Sequence, residues 1–323
     1  LESVPNTMNF PADDPLYQGN QWNEPRQNEA LAEADVVLVI DSDVPWIPVV
    51  SRPREDAAIF HIDVDPLKQA MPLWHIGARR VWRAEATVAL RQLNAHLDGV
   101  AISARAAESR RIHWSARHAA RAARLREREA PHADIITGEV LTARIRAHLD
   151  AGTIVLNETI SNYTASIDHL RMTRPGSLLG SGAGSLGWHG GAAIGVKLAK
   201  PEATVIALTG DGSYMFSVPS AVYWIARRCG TPFLTVIYNN RGWKSPKLSA
   251  LAVHPDGYAS RANEIGVSFD PPPDYGGIAA AAGGAFARRV ERASELDGAI
   301  GDAMRAVREE RRCAVLDVWL PHL

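Results

Sequence analysis

The chain has 323 residues, 46% hydrophobic and 22% charged, with 35 basic against 36 acidic side chains. This excludes disordered, collagen-like and coiled-coil classes, and a formal charge of -1 leaves no global field to hold nucleic acid or an anionic membrane surface. No apolar run approaches the roughly 18 residues needed to cross a bilayer, and two cysteines, Cys229 and Cys313, are too few for a disulfide framework, which favours a reducing, cytoplasmic setting with an organelle left open.

Residues 1–30 are rich in Pro, Asn, Asp and Gln and read as irregular connections. The chain begins with Leu1 and shows no signal-peptide pattern, so it is expected to start inside a longer protein. "ADVVLVIDS" (residues 34–42) and "AAIFHIDVD" (57–65) are short Val- and Ile-rich runs with the composition of buried parallel strands. "ATVALRQLNAHL" (86–97) has helical spacing and would cover one face of a Rossmann-like unit that lacks its beginning. Residues 101–130 predict an Ala- and Arg-rich helix. Overall neutrality favours a solvated connecting helix there over a nucleic-acid face, and Trp114, Ala119 and Leu125 keep no heptad. After Pro131 helix and strand alternate: a helix over 136–149, strands over 152–158, 203–209, 232–238 and 313–320, and helices over 187–199, 217–228 and 299–312. Such alternation specifies an α/β fold with a doubly wound parallel sheet. The expected organisation is a partial central domain over 1–98, a helical linker over 99–133 and a second domain over 134–323.

Two strand ends carry unusual chemistry. The strand 203–209 runs into Gly210-Asp211-Gly212-Ser213, and the strand 232–238 into Asn239-Asn240-Arg241-Gly242. Ligands of open parallel sheets collect at the carboxyl ends of strands, and a connecting helix makes these two strands neighbours. Asp211 and Asn240 then face one crevice. A carboxylate, an amide oxygen and a main-chain carbonyl are hard donors, few in number, as Mg²⁺ requires when phosphates and water complete its shell. Gly212 and Ser213 are expected just before a helix whose amides attract anions. The bland reading of Gly-Asp-Gly is an ordinary turn.

"GDG" followed by 26 residues and then "NN" resembles the signature of thiamine diphosphate (ThDP) enzymes. "NETISN", "PGSLLGSGAGSLGWHGGAAIGVKLAKPEATVIALTGDGS" and "PFLTVIYNNRGW" resemble the diphosphate-binding domain of the acetolactate synthase and benzoylformate decarboxylase branch. "VPNTMNFPADDPLYQG" and "FHIDVDPLKQ" resemble parts of its central domain. The resemblance implies that Asp211, Asn240 and the main-chain oxygen of Gly242 hold Mg²⁺, while Gly212, Ser213, Ser161 and Thr159 cradle the diphosphate. It also implies that the carbonyl of Gly184 accepts from the pyrimidine amino group and that Leu186 wedges the cofactor into its bent form. The thiazolium then accepts the electrons released when a 2-oxo acid loses its carboxylate. The activity implied is decarboxylation with carboligation, as in acetolactate synthases. "GSLGWHGG" departs from that family's pattern of Met and a Phe-Gly-Leu-Pro run, which keeps simple decarboxylation as the alternative. FAD is a further cofactor in true acetolactate synthases and stays undetermined.

Other features carry rival readings. "GAGSLG" (182–187) matches the dinucleotide pattern GxGxxG, but the run before it, "RMTRPGSLL", is a poor strand. "HIDVD" could suggest a metal site, although period-two alternation at a strand end accounts for it. His189 is expected one turn into a helix facing the pocket, as a weak acid–base candidate. Trp243 and His254 border substrate in the family or simply pack a loop. The Glu that promotes the cofactor's imino form belongs to a pyrimidine-binding domain with no counterpart here, and Glu158 is not assigned that role. A partner subunit or a preceding part of the chain is expected to supply that domain, in a homodimer or homotetramer. A non-catalytic ThDP-fold protein is the rival from another class.

Overall fold

The computed structural model describes residues 1–3, 5–21, 26–71, 76–182, 184–262 and 266–322. They form two compact units, Leu1–Pro5 with Asp14–Ala122, and Asn6–Asp13 with Ala123–Leu323.

The first unit is built on three parallel strands, β1 (Val36–Ile40), β2 (Ala58–Asp63) and β3 (Arg80–Arg83), in that order. β3 was not legible as a strand, because Arg-Val-Trp-Arg is exposed throughout and becomes a strand only by pairing with β2. The core is small, formed by Leu31, Val39, Trp46 and Ile76. The helix Ala86–Asp98 follows the expected span, yet none of its residues is buried. In "HIDVD", His61 and Asp63 share a buried face, and the Lys68 ammonium lies 2.7 Å from both Asp63 and Asp43. A lysine therefore occupies the position that a metal reading would give to a cation.

The Arg-rich segment is one 25-residue helix, Ala104–Arg128. It is more than a linker. Up to Ala122 it belongs to the first unit, where His118 Nδ1 lies 2.7 Å from the Tyr17 carbonyl and Arg117 pairs with Glu33 at 2.7 Å.

The second unit has six parallel strands: β4 (Thr153–Glu158), β5 (Leu178–Gly180), β6 (Thr204–Gly210), β7 (Leu234–Asn239), β8 (Phe286–Val290) and β9 (Ala314–Trp319). Their order is β5-β4-β6-β7-β9-β8. Every residue of β4 and β7 is buried, as a sheet covered on both faces demands. One face packs under helices Gly138–Ala147, Tyr163–Leu170 and Leu296–Arg308, through residues such as Leu141, Leu170 and Ile300. The other lies under Trp188–Ala199, Pro219–Cys229 and Tyr275–Gly283, through Ile194, Tyr223 and Ala279. This is the doubly wound arrangement that the alternation implied. Pro219 is at the start of its helix, where its missing N–H costs nothing. Asn6–Asp13 joins this unit beside edge strand β5, with Gly180 N donating to the Asn6 carbonyl at 2.7 Å. From β4 the chain steps to β5 on one side and then to β6 on the other, so the strand order reverses between β4 and β6. A crevice at the carboxyl ends follows from that reversal.

Glu129 anchors the first helices of this unit. It accepts from Arg146 at 2.9 Å, Arg171 at 2.8 Å and His169 Nδ1 at 2.9 Å. Burial alone would raise its carboxyl, but the bonds from Arg146 and His169 and the charges of Arg146 and Arg171 outweigh it and draw it down to about 2 from 4.5. A lowered folded value stabilises fully above 4.5 and is lost as pH falls towards 2. Glu129→Gln should therefore cost about 2 kcal/mol in urea unfolding at pH 7. The gap to the parent should narrow between pH 4.5 and 2; a gap independent of pH would count against this account.

Candidate functional site

The ends of β6 and β7 are tied together by one carboxylate. Asp211 is 3% exposed; its Oδ1 accepts from Gly212 N at 2.9 Å and its Oδ2 from Gly242 N at 2.8 Å. Burial pushes this carboxyl up to about 6 despite the amides of Gly212, Gly242 and Arg241 that favour its charge. A cation beside it would favour the same charged form.

The two asparagines of "NN" have separate jobs. Asn239 is structural: its Oδ1 accepts from Arg241 N at 2.9 Å and its Nδ2 donates to Asp317 at 2.7 Å. Asn240 is 5% exposed, and its Oδ1 has no hydrogen-bond partner among the described residues. A buried oxygen without a donor is costly unless something supplies the missing interaction. With the Asp211 carboxylate next to its turn, this free oxygen fits a hard divalent cation. The Gly242 carbonyl accepts from Lys244 N at 3.1 Å and retains its second lone pair.

Gly212 and Ser213 do not precede a helix; they lie in the first turn of a six-residue one, Asp211–Phe216, and a second helix, Pro219–Cys229, completes the crossover to β7. First-turn amides have no acceptor within their helix. Gly212 is required for packing too, because a Cβ there would lie 2.3 Å from the Trp243 ring. Trp243 also meets Phe216 and Phe269 edge-on at 5.7 and 5.0 Å, so its loop-packing reading holds. His254 is exposed and its carbonyl accepts from Ser260 at 2.8 Å, which is likewise loop packing.

Ser161 and Asn240 line one cavity of about 330 Å³, together with Thr137, Gly138 and Lys244. Thr159 does not join them. It is buried, with its hydroxyl on Asn157 at 2.9 Å and on Ser166 at 2.8 Å, so it stabilises the turn after β4 instead of reaching a ligand.

His189 also departs from expectation. It is the second residue of its helix and 1% exposed, with Nδ1 at 2.9 Å from Glu158. The Glu158 side chain is wholly buried at the end of β4 and also accepts from the backbone N–H groups of Gly187 and His189. Sequence reading missed this role. The available signal was a charged residue closing an apolar strand, which must find partners. By holding those amides, Glu158 fixes the end of the loop that carries Gly184, exposed at φ +64, and the half-buried Leu186. It also closes the dinucleotide reading. A short strand, β5, does precede "GAGSLG", but a carboxylate already holds the helix N-terminus that a pyrophosphate needs.

Residues 159–318 match the model of the family described as thiamine pyrophosphate enzyme, C-terminal TPP binding domain. The chain carries a thiamine pyrophosphate enzyme domain. Thiamine pyrophosphate (TPP) is ThDP by another name, and the match contains Asp211 and Asn240. Benzoylformate decarboxylase of Pseudomonas aeruginosa is 34% identical over 87 residues, 27% of this chain and 16% of its own length. A probable acetolactate synthase large subunit of Methanocaldococcus jannaschii is 26% identical over 253 residues, 72% of this chain and 39% of its own. Among solved structures, the ThDP-dependent 4-hydroxybenzoylformate decarboxylase of Rhodococcus jostii RHA1 superposes with a TM-score of 0.74 at 18% identity, covering 100% of this chain and 56% of its own. At that identity the likeness establishes the fold. These alignments take in only 16% to 56% of the relatives' lengths. They give FAD no support.

Within the TPP domain, the loop before Trp188 is sharply constrained at Gly187. Its φ is +83, and a Cβ would lie 2.6 Å from the Phe216 carbonyl carbon. Gly184 has φ +64 with nothing within 4 Å. Gly187→Ala should thus cost about 3 kcal/mol in urea unfolding, and Gly184→Ala only about 1 kcal/mol. Equal costs would mean that the contact with Phe216 does not constrain the loop.

Proposed function

We propose that the chain forms part of a ThDP- and Mg²⁺-dependent enzyme that decarboxylates a 2-oxo acid, with carboligation in the manner of acetolactate synthases. The observation that carries the reading is the unpartnered, buried Oδ1 of Asn240, in the turn whose Gly242 amide binds the Asp211 carboxylate, inside a matched TPP-binding domain. Asp211, Asn240 and the Gly242 carbonyl would hold the cation, and Gly212, Ser213 and Ser161 the diphosphate. Gly184 and Leu186 would meet the pyrimidine and the bend of the cofactor, on a loop that Glu158 keeps in place. Bound there, the cofactor supplies an electron sink for the departing carboxyl group. A pyrimidine-binding domain, from a partner subunit of a homodimer or homotetramer or from a preceding part of the protein, would complete the site.

A second reading, release of an aldehyde without carboligation, draws on the relatives named as benzoylformate decarboxylases and on "GSLGWHGG". Two experiments separate the possibilities. Calorimetry with ThDP and Mg²⁺ should give an affinity at least about tenfold weaker for Asp211→Ala than for the parent; equal affinities would refute the cation assignment. Incubating the full-length protein with pyruvate and with benzoylformate should yield acetolactate on the first reading or benzaldehyde on the second. Cofactor uptake with no conversion of any 2-oxo acid would instead favour a protein that binds without turnover.

A further inference from the structure

The turn that presents Asn240 contains an anomaly. Arg241, between Asn240 and Gly242, has a left-handed backbone with φ +61, a conformation that costs any residue with a Cβ and that glycine adopts freely. Its side chain accounts for its presence. The guanidinium lies over the Trp319 ring at 4.6 Å from the centroid, and Arg289 lies at 4.9 Å from the same centroid. The Arg241 Nε makes no hydrogen bond among the described residues and comes within only 4.0 Å of Asp270, so the indole is its principal partner. Trp319 pairs in register with Asn239 across β7 and β9. It is held in turn by the buried Asp317, which accepts from Trp319 Nε1 at 3.4 Å, Arg289 Nε at 3.1 Å and Asn239 Nδ2 at 2.7 Å.

We infer that Arg241 is a positioning residue for the cation site: stacked on Trp319, it fixes the Asn240–Gly242 turn so that the Gly242 amide reaches Asp211 while Asn240 Oδ1 stays free for the ion. The inference rests on the cation assignment proposed above. Asn239 Oδ1 holds the Arg241 amide from one side, and the indole holds its side chain from the other. With both ends of the residue fixed, the free amide oxygen of Asn240 is held in place before any ion arrives, which raises affinity by lowering the ordering cost of binding.

The test is Mg²⁺ affinity at saturating ThDP, by calorimetry, for the parent, Arg241→Ala, Arg241→Lys, Trp319→Leu and the Arg241→Ala/Trp319→Leu double variant, alongside melting without cation or cofactor. Loss of one cation–π stack should weaken cation affinity about fivefold in either alanine or leucine variant. The double variant should be no weaker than the worse single one, because both remove the same contact. Arg241→Lys, which keeps the charge but loses the flat face, should fall between parent and Arg241→Ala. Melting without cation should move little for Arg241→Ala and Arg241→Lys, whereas Trp319→Leu also loses the contacts with Arg289 and Asp317 and should melt lower. If the parent binds Mg²⁺ and the variants bind it equally well, or if the two losses multiply, the positioning role is wrong while the cation site stands. A parent that takes up no Mg²⁺ with ThDP overturns the cation site and this inference with it.

Discussion

The carboxyl edge of the six-stranded sheet must accommodate three buried carboxylates, and the arrangement of its loops depends on how it does so. Glu158, Asp211 and Asp317 belong to β4, the turn after β6 and β9, and each is at most 3% exposed. An ionised carboxyl in such surroundings is tolerable only with several donors. Glu158 and Asp211 recruit them from loops, and Asp317 from the ends of its own and neighbouring strands. Glu158 takes the amides of Gly187 and His189, Asp211 takes that of Gly242, and Asp317 takes the Asn239 amide group with Arg289 and the Trp319 indole. The loops are shaped by the needs of the acids beneath them.

This explains which groups remain available to a ligand. The Gly187 and His189 amides at the start of Trp188–Ala199 are consumed, and so is the hydroxyl of Thr159. Asn239 is spent on Asp317 and Arg241. Asn240 Oδ1, one residue further on, is left without a partner among the described residues, in a turn whose neighbour, Asp211, retains its charge only against a strong desolvation cost. The proposed cation site lies where the network supplies one donor too few, and the bond from Gly242 to Asp211 keeps the two strand ends together.

The strands with long Val and Ile runs were legible because burial on both faces leaves no alternative for such residues. β3 and β8 were not, since Arg80-Val81-Trp82-Arg83 and Phe286-Ala287-Arg288-Arg289-Val290 are arginine-bearing edge strands, and nothing local marks them as extended. β5 is three residues long and is a strand because β4 and Asn6–Asp13 flank it. In the site, "GDG" and "NN" could be read by spacing. The inward turn of Thr159, the burial of His189 and the acceptor role of Glu158 could not, because each depends on which side chains lie across the sheet.

The sequence by itself determined the alternation that makes a doubly wound sheet, the glycines that permit turns beside Asp211, and the family to which the diphosphate-binding segment belongs. These are properties of residue type and spacing, present before any long-range contact forms. Tertiary structure decided which of two adjacent asparagines is free, which histidine is locked to a carboxylate, and which arginine leans on Trp319. Those outcomes are set by pairing between side chains far apart in the chain, as Asn239 and Asp317 are at 78 positions. A chain read one residue at a time does not show which of those pairs form.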